Sequence, residues 1–129
     1  MQELKRIFYV EDEPDIMAVA LLVLQDVGGF ELETASCGPS ALTKIEAFKP
    51  DLIVLDVMMP GMDGPTTLLE IRKLNGLQET PVFFMTAKVQ PKEIEHYKAL
   101  GVIDVIPKPF DPMALSDQIK EIWRKHHGE

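Results

Sequence analysis

Leu52-Ile53-Val54-Leu55-Asp56-Val57-Met58-Met59-Pro60-Gly61-Met62-Asp63-Gly64 changes character three times within a short span. Its aliphatic run reads as a strand buried on both faces. An aspartate follows at once, then a loop dense in turn formers. Leu68, Leu69 and Ile71 predict a helix next, ending near Asn75-Gly76. A buried strand that ends in an acid and leads into a helix is one half of a parallel βαβ unit.

The same unit recurs on either side. Upstream, Ile7-Phe8-Tyr9-Val10 ends in Glu11-Asp12-Glu13. Pro14 suits the first turn of a helix, where its missing N–H has no intrahelical partner. Ile16, Ala20, Val23 and Val27 keep 4-3-4 spacing and predict one regular helix, stopped by Gly28-Gly29. Phe30 to Ala35 is a weaker strand carrying Glu31 and Glu33. Ala41, Leu42, Ile45 and Phe48 mark a helix that Lys49-Pro50 breaks. Downstream, Pro81 to Met85 is a strand ended by Thr86-Ala87-Lys88, followed by a charged helix from Pro91 to Leu100. Gly101 stands where a helix C-terminal glycine belongs. Val102 to Ile106 is the fifth strand. Asp111-Pro112 predicts a cap for a last helix with Leu115, Ile119, Ile122 and Trp123 on its apolar stripe.

Strict alternation implies parallel strands joined by right-handed crossovers, with helices on both faces. Five units are too few for an eight-stranded barrel. The expected fold is α/β: an open, doubly wound, five-stranded parallel sheet of the flavodoxin-like type, strand order 2-1-3-4-5. Its ligand crevice lies at the carboxyl ends of strands one and three.

Composition narrows the function classes. The 129 residues, read as one domain over 1–129, carry 21 acidic and 13 basic side chains and a net charge of −8. That balance disfavours nucleic acid as a partner, because binding there rests on basic residues replacing counterions. No apolar run approaches the roughly 20 residues that span a bilayer, so no membrane partner is expected. The opening residues lack a secretory pattern. The lone cysteine, Cys37, fits a cytoplasmic location.

The topology gathers chemistry at one end of the sheet. Glu11 and Asp12 follow strand one, Asp56 strand three, Thr86 strand four and Lys108 strand five. Each has an ordinary structural explanation by itself. Acids such as Glu13 and Asp15 before or within a first turn cap helices, and a single Lys108 is commonly solvated. Polar residues at the same end of four strands outweigh those explanations. Converging carboxylates repel one another, and a hard cation such as Mg2+ relieves that repulsion. Lys108 supplies a compact cation and Thr86 a hydroxyl. A metal, a carboxylate nucleophile and phosphate-binding donors point to phosphoryl transfer onto a carboxylate. Asp56, alone at its strand end, is the candidate nucleophile.

At these residues the chain resembles the receiver domains of two-component response regulators, from Ile7 through Trp123. The landmarks are Val10-Glu11-Asp12-Glu13, Leu55-Asp56 through Asp63-Gly64, Met85-Thr86-Ala87 and Lys108-Pro109-Phe110. The resemblance implies a chemotaxis-receiver-like fold and a stand-alone receiver without an output domain. It further implies that Asp56 accepts a phosphoryl group from a sensor histidine kinase or a histidine phosphotransfer protein. Glu11, Asp12, Asp56 and the main-chain carbonyl of Met58 are then the Mg2+ set, with Asp12 and Asp56 as direct ligands. Thr86 matches the hydroxyl that moves toward the phosphoryl group, and Lys108 the lysine that pairs with it. Such a protein catalyses its own phosphorylation and dephosphorylation but chiefly signals, here to an output protein through the fourth helix, fifth strand and fifth helix. The family often has a cis bond at the position of Lys108-Pro109.

Two departures stand out. Val105 occupies the position, three residues before Lys108, where the family usually has an aromatic, and Pro107 precedes the lysine. Tyr97 or Phe110 is then expected to take part in the rearrangement. Met58 and Lys88, two residues beyond Asp56 and Thr86, flank the expected path of attacking water. A Mg2+-dependent phosphohydrolase is the alternative; many have a second aspartate where this chain has Met58. A flavin-binding module is weaker still, because strand one lacks a Ser/Thr/Gly-rich phosphate cradle.

Overall fold

The computed structural model describes residues 3–127. Met1-Gln2, part of the segment read above for a leader, lies outside the described residues, as do Gly128 and Glu129. Five strands alternate with helices: β1 (Arg6–Val10), α1 (Pro14–Leu21), β2 (Glu31–Ala35), α2 (Gly38–Phe48), β3 (Leu52–Asp56), α3 (Gly64–Ile71), β4 (Val82–Thr86), α4 (Pro91–Ala99), β5 (Asp104–Pro107) and α5 (Leu115–His126). The sheet order is β2-β1-β3-β4-β5, and every pairing is parallel. The expected architecture is the observed one.

Side-chain alternation divides the interior into two cores, one on each face of the sheet. Phe8, Val10, Ile53, Leu55, Val82, Phe84 and Val105 pack toward α2, α3 and α4. Ile7, Tyr9, Leu52, Val54, Phe83, Met85 and Ile106 pack toward α1 and α5. β3 and β4 are buried along their whole length, which is why their sequences show no polar interruption. β2 lies at the edge and tolerates Glu31, whose carboxylate accepts from Arg6 Nε at 2.7 Å.

Four local features differ from the expected elements, the simplest being α3, which ends at Ile71 rather than near Asn75-Gly76. The helix after Pro14 is α-helical only to Leu21 and continues as a π-helical segment over Leu22–Val27. The Val23 carbonyl accepts both the Gly28 N–H at 2.9 Å and the Ser116 hydroxyl at 2.8 Å. A Cβ on Gly28 would sit 2.6 Å from Ser116 Oγ, so the widened turn brings a bare glycine against α5. Widening also rotates Val27 out of the predicted apolar stripe, to 64% exposure, and leaves Leu24 fully buried. β5 starts at Asp104 rather than Val102. Asp111 caps a short turn, accepting from the Met113 and Ala114 N–H groups, and α5 begins only at Leu115.

Lys49 closes α2 at φ 54°, in the left-handed region that penalises a side chain. Lys49→Gly is expected to raise the unfolding free energy by about 0.5–1 kcal/mol, read as a higher urea midpoint at unchanged slope. A lower midpoint would mean that the lysine side chain contributes more than its backbone strain costs.

Candidate functional site

β1, β3, β4 and β5 each deliver a polar residue one step past the last apolar one: Glu11, Asp56, Thr86 and Lys108. Carboxylate oxygens of Glu11, Asp12 and Asp56 lie within 4.8 Å of one another. Glu11 and Asp56 are almost fully buried, 1% and 2% exposed, and Asp12 is half-buried. Lys108 reaches in from beyond β5. Its ammonium donates to Glu11 Oε1 at 3.0 Å and stands 3.3 Å from Asp56 Oδ2. Glu11 Oε2 accepts the Glu13 N–H at 3.2 Å, so both Glu11 oxygens have protein partners. Asp12 Oδ1 and Asp56 Oδ2 are buried and accept no hydrogen bond.

This arrangement sets the charges. Burial, and then the hydrogen bonding and negative charge of Glu11, push the Asp56 carboxyl up to about 7 against the pull of Lys108, with Asp12 adding a little more. For Lys108, burial works against the ammonium form. Glu11 and Asp56 outweigh it and hold the lysine above its ordinary value. Glu13 stands at the cap position of α1 without a side-chain cap bond. Two unsatisfied buried carboxylate oxygens beside a third carboxylate form a hard-oxygen donor set, and that set fits a Mg2+ ion.

Thr86, buried at the end of β4, accepts the Lys88 N–H on its Oγ1 at 3.0 Å. Its main-chain carbonyl accepts the Lys108 N–H at 2.9 Å, tying the ends of β4 and β5 together. Asp56, Thr86 and Lys108 line a cleft of about 330 Å³ with Glu13, Ile16, Met58, Ala87 and Pro109. The Met58 side chain is 60% exposed at its mouth, and Lys88 is exposed nearby. The Lys108-Pro109 bond is cis. Val105 faces the α4 side of the sheet, and Tyr97 of α4 is buried there with its ring edge-on to Phe84 at 5.4 Å. Phe110 is half-buried on the other side, against the α1/α5 core.

The sequence reading brought Glu11, Asp12, Asp56, Thr86 and Lys108 to one place, and they are together here. It passed over two residues that shape the same place. Gly64, at the start of α3, leaves no room for a side chain: a Cβ would lie 2.7 Å from the Asp56 carbonyl oxygen. Tyr9 places a phenol inside the core, where its O–H donates to Met85 Sδ at 3.1 Å. Burial, then the charges of Glu11 and Asp56, push the Tyr9 phenol well above its ordinary value. The signal for Tyr9 was a hydroxyl-bearing ring within a strand read as wholly buried, since such an O–H needs a partner.

Comparison with known proteins points the same way. A family model described as response regulator receiver domain matches residues 7–120. The alkaline phosphatase synthesis transcriptional regulatory protein PhoP of Bacillus subtilis is 36% identical over 121 residues, covering 94% of this chain and 49% of that protein. The transcriptional regulatory protein CpxR homolog of Haemophilus influenzae is 37% identical over 123 residues, covering 95% and 52%. The chain thus spans about half the length of these curated relatives. Among solved structures, the chemotaxis protein CheY4 of Vibrio cholerae superposes with a TM-score of 0.84 at 30% identity, over 93% of this chain and 99% of that one. The phosphohydrolase alternative finds no support in these matches.

Proposed function

We propose, from the premise that this chain belongs to the response regulator receiver domain family, that Asp56 is its phosphoryl acceptor. Receivers of this family are consistent with a phosphorylation-dependent signalling switch; they depend on Mg2+ in general, and histidine kinases phosphorylate them. The observation that carries the assignment to Asp56 is its buried Oδ2, which accepts no hydrogen bond and stands 3.3 Å from the Lys108 ammonium in a cleft shared with Thr86.

In the proposed reaction an Asp56 carboxylate oxygen attacks phosphorus in line. The bond from phosphorus to the donor histidine nitrogen breaks, and its electron pair returns to the imidazole. Lys108, already 3.3 Å from Asp56 Oδ2, is placed to pair with a phosphoryl oxygen. Thr86 Oγ1 accepts the Lys88 N–H, which leaves its own proton for a second phosphoryl oxygen. Asp12 and Asp56 are the proposed direct Mg2+ ligands because each has a buried oxygen that accepts no hydrogen bond. Glu11, with both oxygens engaged, supports from behind, and the Met58 carbonyl completes the protein's share. When bound, the ion neutralises charge shared between the carboxylates and the incoming phosphoryl group.

Signalling onward is proposed to use α4, β5 and α5, toward an output protein. Strand alternation puts Thr86 on the same face as Phe84, and Phe84 packs on Tyr97 of α4. With Val105 too short to follow a movement of Thr86, Tyr97 is the aromatic side chain placed to do so.

Incubation with a small-molecule phosphodonor and Mg2+, followed by intact mass measurement, tests the assignment. One phosphoryl adduct that requires Mg2+ and is absent in Asp56→Asn is the expected result. An adduct of equal yield in Asp56→Asn would move the acceptor elsewhere, and sustained turnover of unrelated phosphate esters would revive the hydrolase.

A further inference from the structure

Tyr9 brings a hydroxyl to the floor of the acidic site. The residue is 1% exposed, and its O–H donates to a thioether, one of the weakest acceptors a protein offers. Strand register locates the pair. Tyr9 lies opposite Val54 and Val54 opposite Phe83, whereas Met85 lies opposite Asp56. The phenol therefore leans toward the carboxyl ends of the strands to meet the sulfur, into the row that holds Asp56. Alternation along β1 and β3 puts Tyr9, Glu11, Val54 and Asp56 on one face of the sheet. A buried carboxylate oxygen without a hydrogen bond and a phenol held only by sulfur thus share one layer. A charge-assisted O–H···O bond is the stronger of the two the phenol could make.

We propose that Tyr9 is a catalytic residue for dephosphorylation, whose phenol turns from Met85 to the Asp56 carboxyl group as a phosphoryl group leaves, and so shortens the life of the phosphorylated state. The proposal rests on Asp56 being the phosphoryl acceptor. In the step concerned, a water oxygen bonds to phosphorus and the P–O bond to Asp56 breaks. The electron pair stays on the carboxylate, and inorganic phosphate leaves as the water proton passes to solvent. Charge grows on the Asp56 oxygen as that bond breaks, so a donor there binds the transition state more tightly than the acyl phosphate. Lys108, drawn to the phosphoryl oxygens, no longer serves that oxygen, which leaves the place to Tyr9.

The test compares phosphoryl lifetimes. Wild type and Tyr9→Phe are phosphorylated with acetyl phosphate and Mg2+, freed of donor, and followed by intact mass. Tyr9→Phe is expected to keep its phosphoryl group about three- to tenfold longer, the fold-change one hydrogen bond provides. Met85→Leu frees the phenol from sulfur and is expected to shorten the lifetime; adding Tyr9→Phe to it should restore the long one. A spectroscopic reading separates this role from simple packing. In a Tyr97→Phe background Tyr9 is the remaining tyrosine, and its near-ultraviolet difference spectrum should shift when the adduct forms. An adduct in both proteins with an equal or shorter lifetime in Tyr9→Phe overturns the role of Tyr9. No adduct in wild type overturns instead the assignment of Asp56 on which it rests.

Discussion

Asp56→Asn is expected to be more stable than the wild type at pH 7.5 without Mg2+, and to lose that advantage near pH 4. The Asp56 carboxyl is raised from 3.8 to about 7 by burial and by Glu11. Between those values the folded protein holds a proton that the unfolded chain has released, so wild-type stability falls as pH rises through that window and levels off above it. At 1.36 kcal/mol per pH unit the full window is worth on the order of 4 kcal/mol. Asparagine cannot ionise, but it gives up the attraction between Lys108 and the carboxylate. A net gain of roughly 2–4 kcal/mol at pH 7.5 follows. Urea unfolding of both proteins across the pH range gives the difference directly, cancelling the carboxylates they share. A difference that stays flat from pH 4 to 8 would mean that Glu11 and burial do not act on Asp56. Mg2+ should narrow the gap, because an ion bound only by the folded state adds stability to the protein that binds it better.

Gly64→Ala is expected to damage both fold and chemistry. An added Cβ would stand 2.7 Å from the Asp56 carbonyl oxygen, 2.9 Å from Val57 Cα and 3.3 Å from the Asp56 carbonyl carbon. All three are main-chain atoms of the strand end that carries Asp56, the proposed acceptor, so no flexible side chain can move aside. The Gly64 N–H also donates to the Val57 carbonyl at 3.0 Å, pinning α3 to that strand end. Overpacking of this kind costs about 1–3 kcal/mol. A shift of Asp56 by about an ångström is enough to slow phosphorylation roughly 100-fold. Gly61 is the contrast, with φ 79° and nothing within 4 Å of an added Cβ. Gly61→Ala should lose about 1 kcal/mol of stability through backbone strain yet phosphorylate at the wild-type rate. Equal phosphorylation rates in both variants would show that α3 does not fix the position of Asp56.

What the sequence disclosed and what it hid divide along the length of the interactions involved. Strand order and site were readable because β3 and β4 are buried on both faces and remain apolar until Asp56 and Thr86. The first polar residue after such a run stands at the rim. The hidden features depend on partners far along the chain. The π-helical turn follows a local 4-3-4 pattern until a hydroxyl from α5, 93 residues away, joins the Val23 carbonyl. Tyr9 meets its sulfur across 76 residues. Gly64 reads as a turn former, whereas its use is the close approach of two backbones. No local pattern encodes such contacts.

The two-core interior has a consequence for how this molecule can vary. Alternation assigns Asp56, the proposed acceptor, with Lys108 and the Tyr9–Met85 pair to the α1/α5 side, and Thr86, Phe84, Tyr97 and Val105 to the α4 side. The sheet insulates one set from the other everywhere except at its rim. A change such as valine for an aromatic at position 105 therefore alters what lies against α4 without entering the α1/α5 core, and the two sides meet at the rim, where Thr86 shares a cleft with Asp56 and Lys108. The proposed reaction and the proposed message thus draw on opposite halves of the protein and touch at the rim of the sheet.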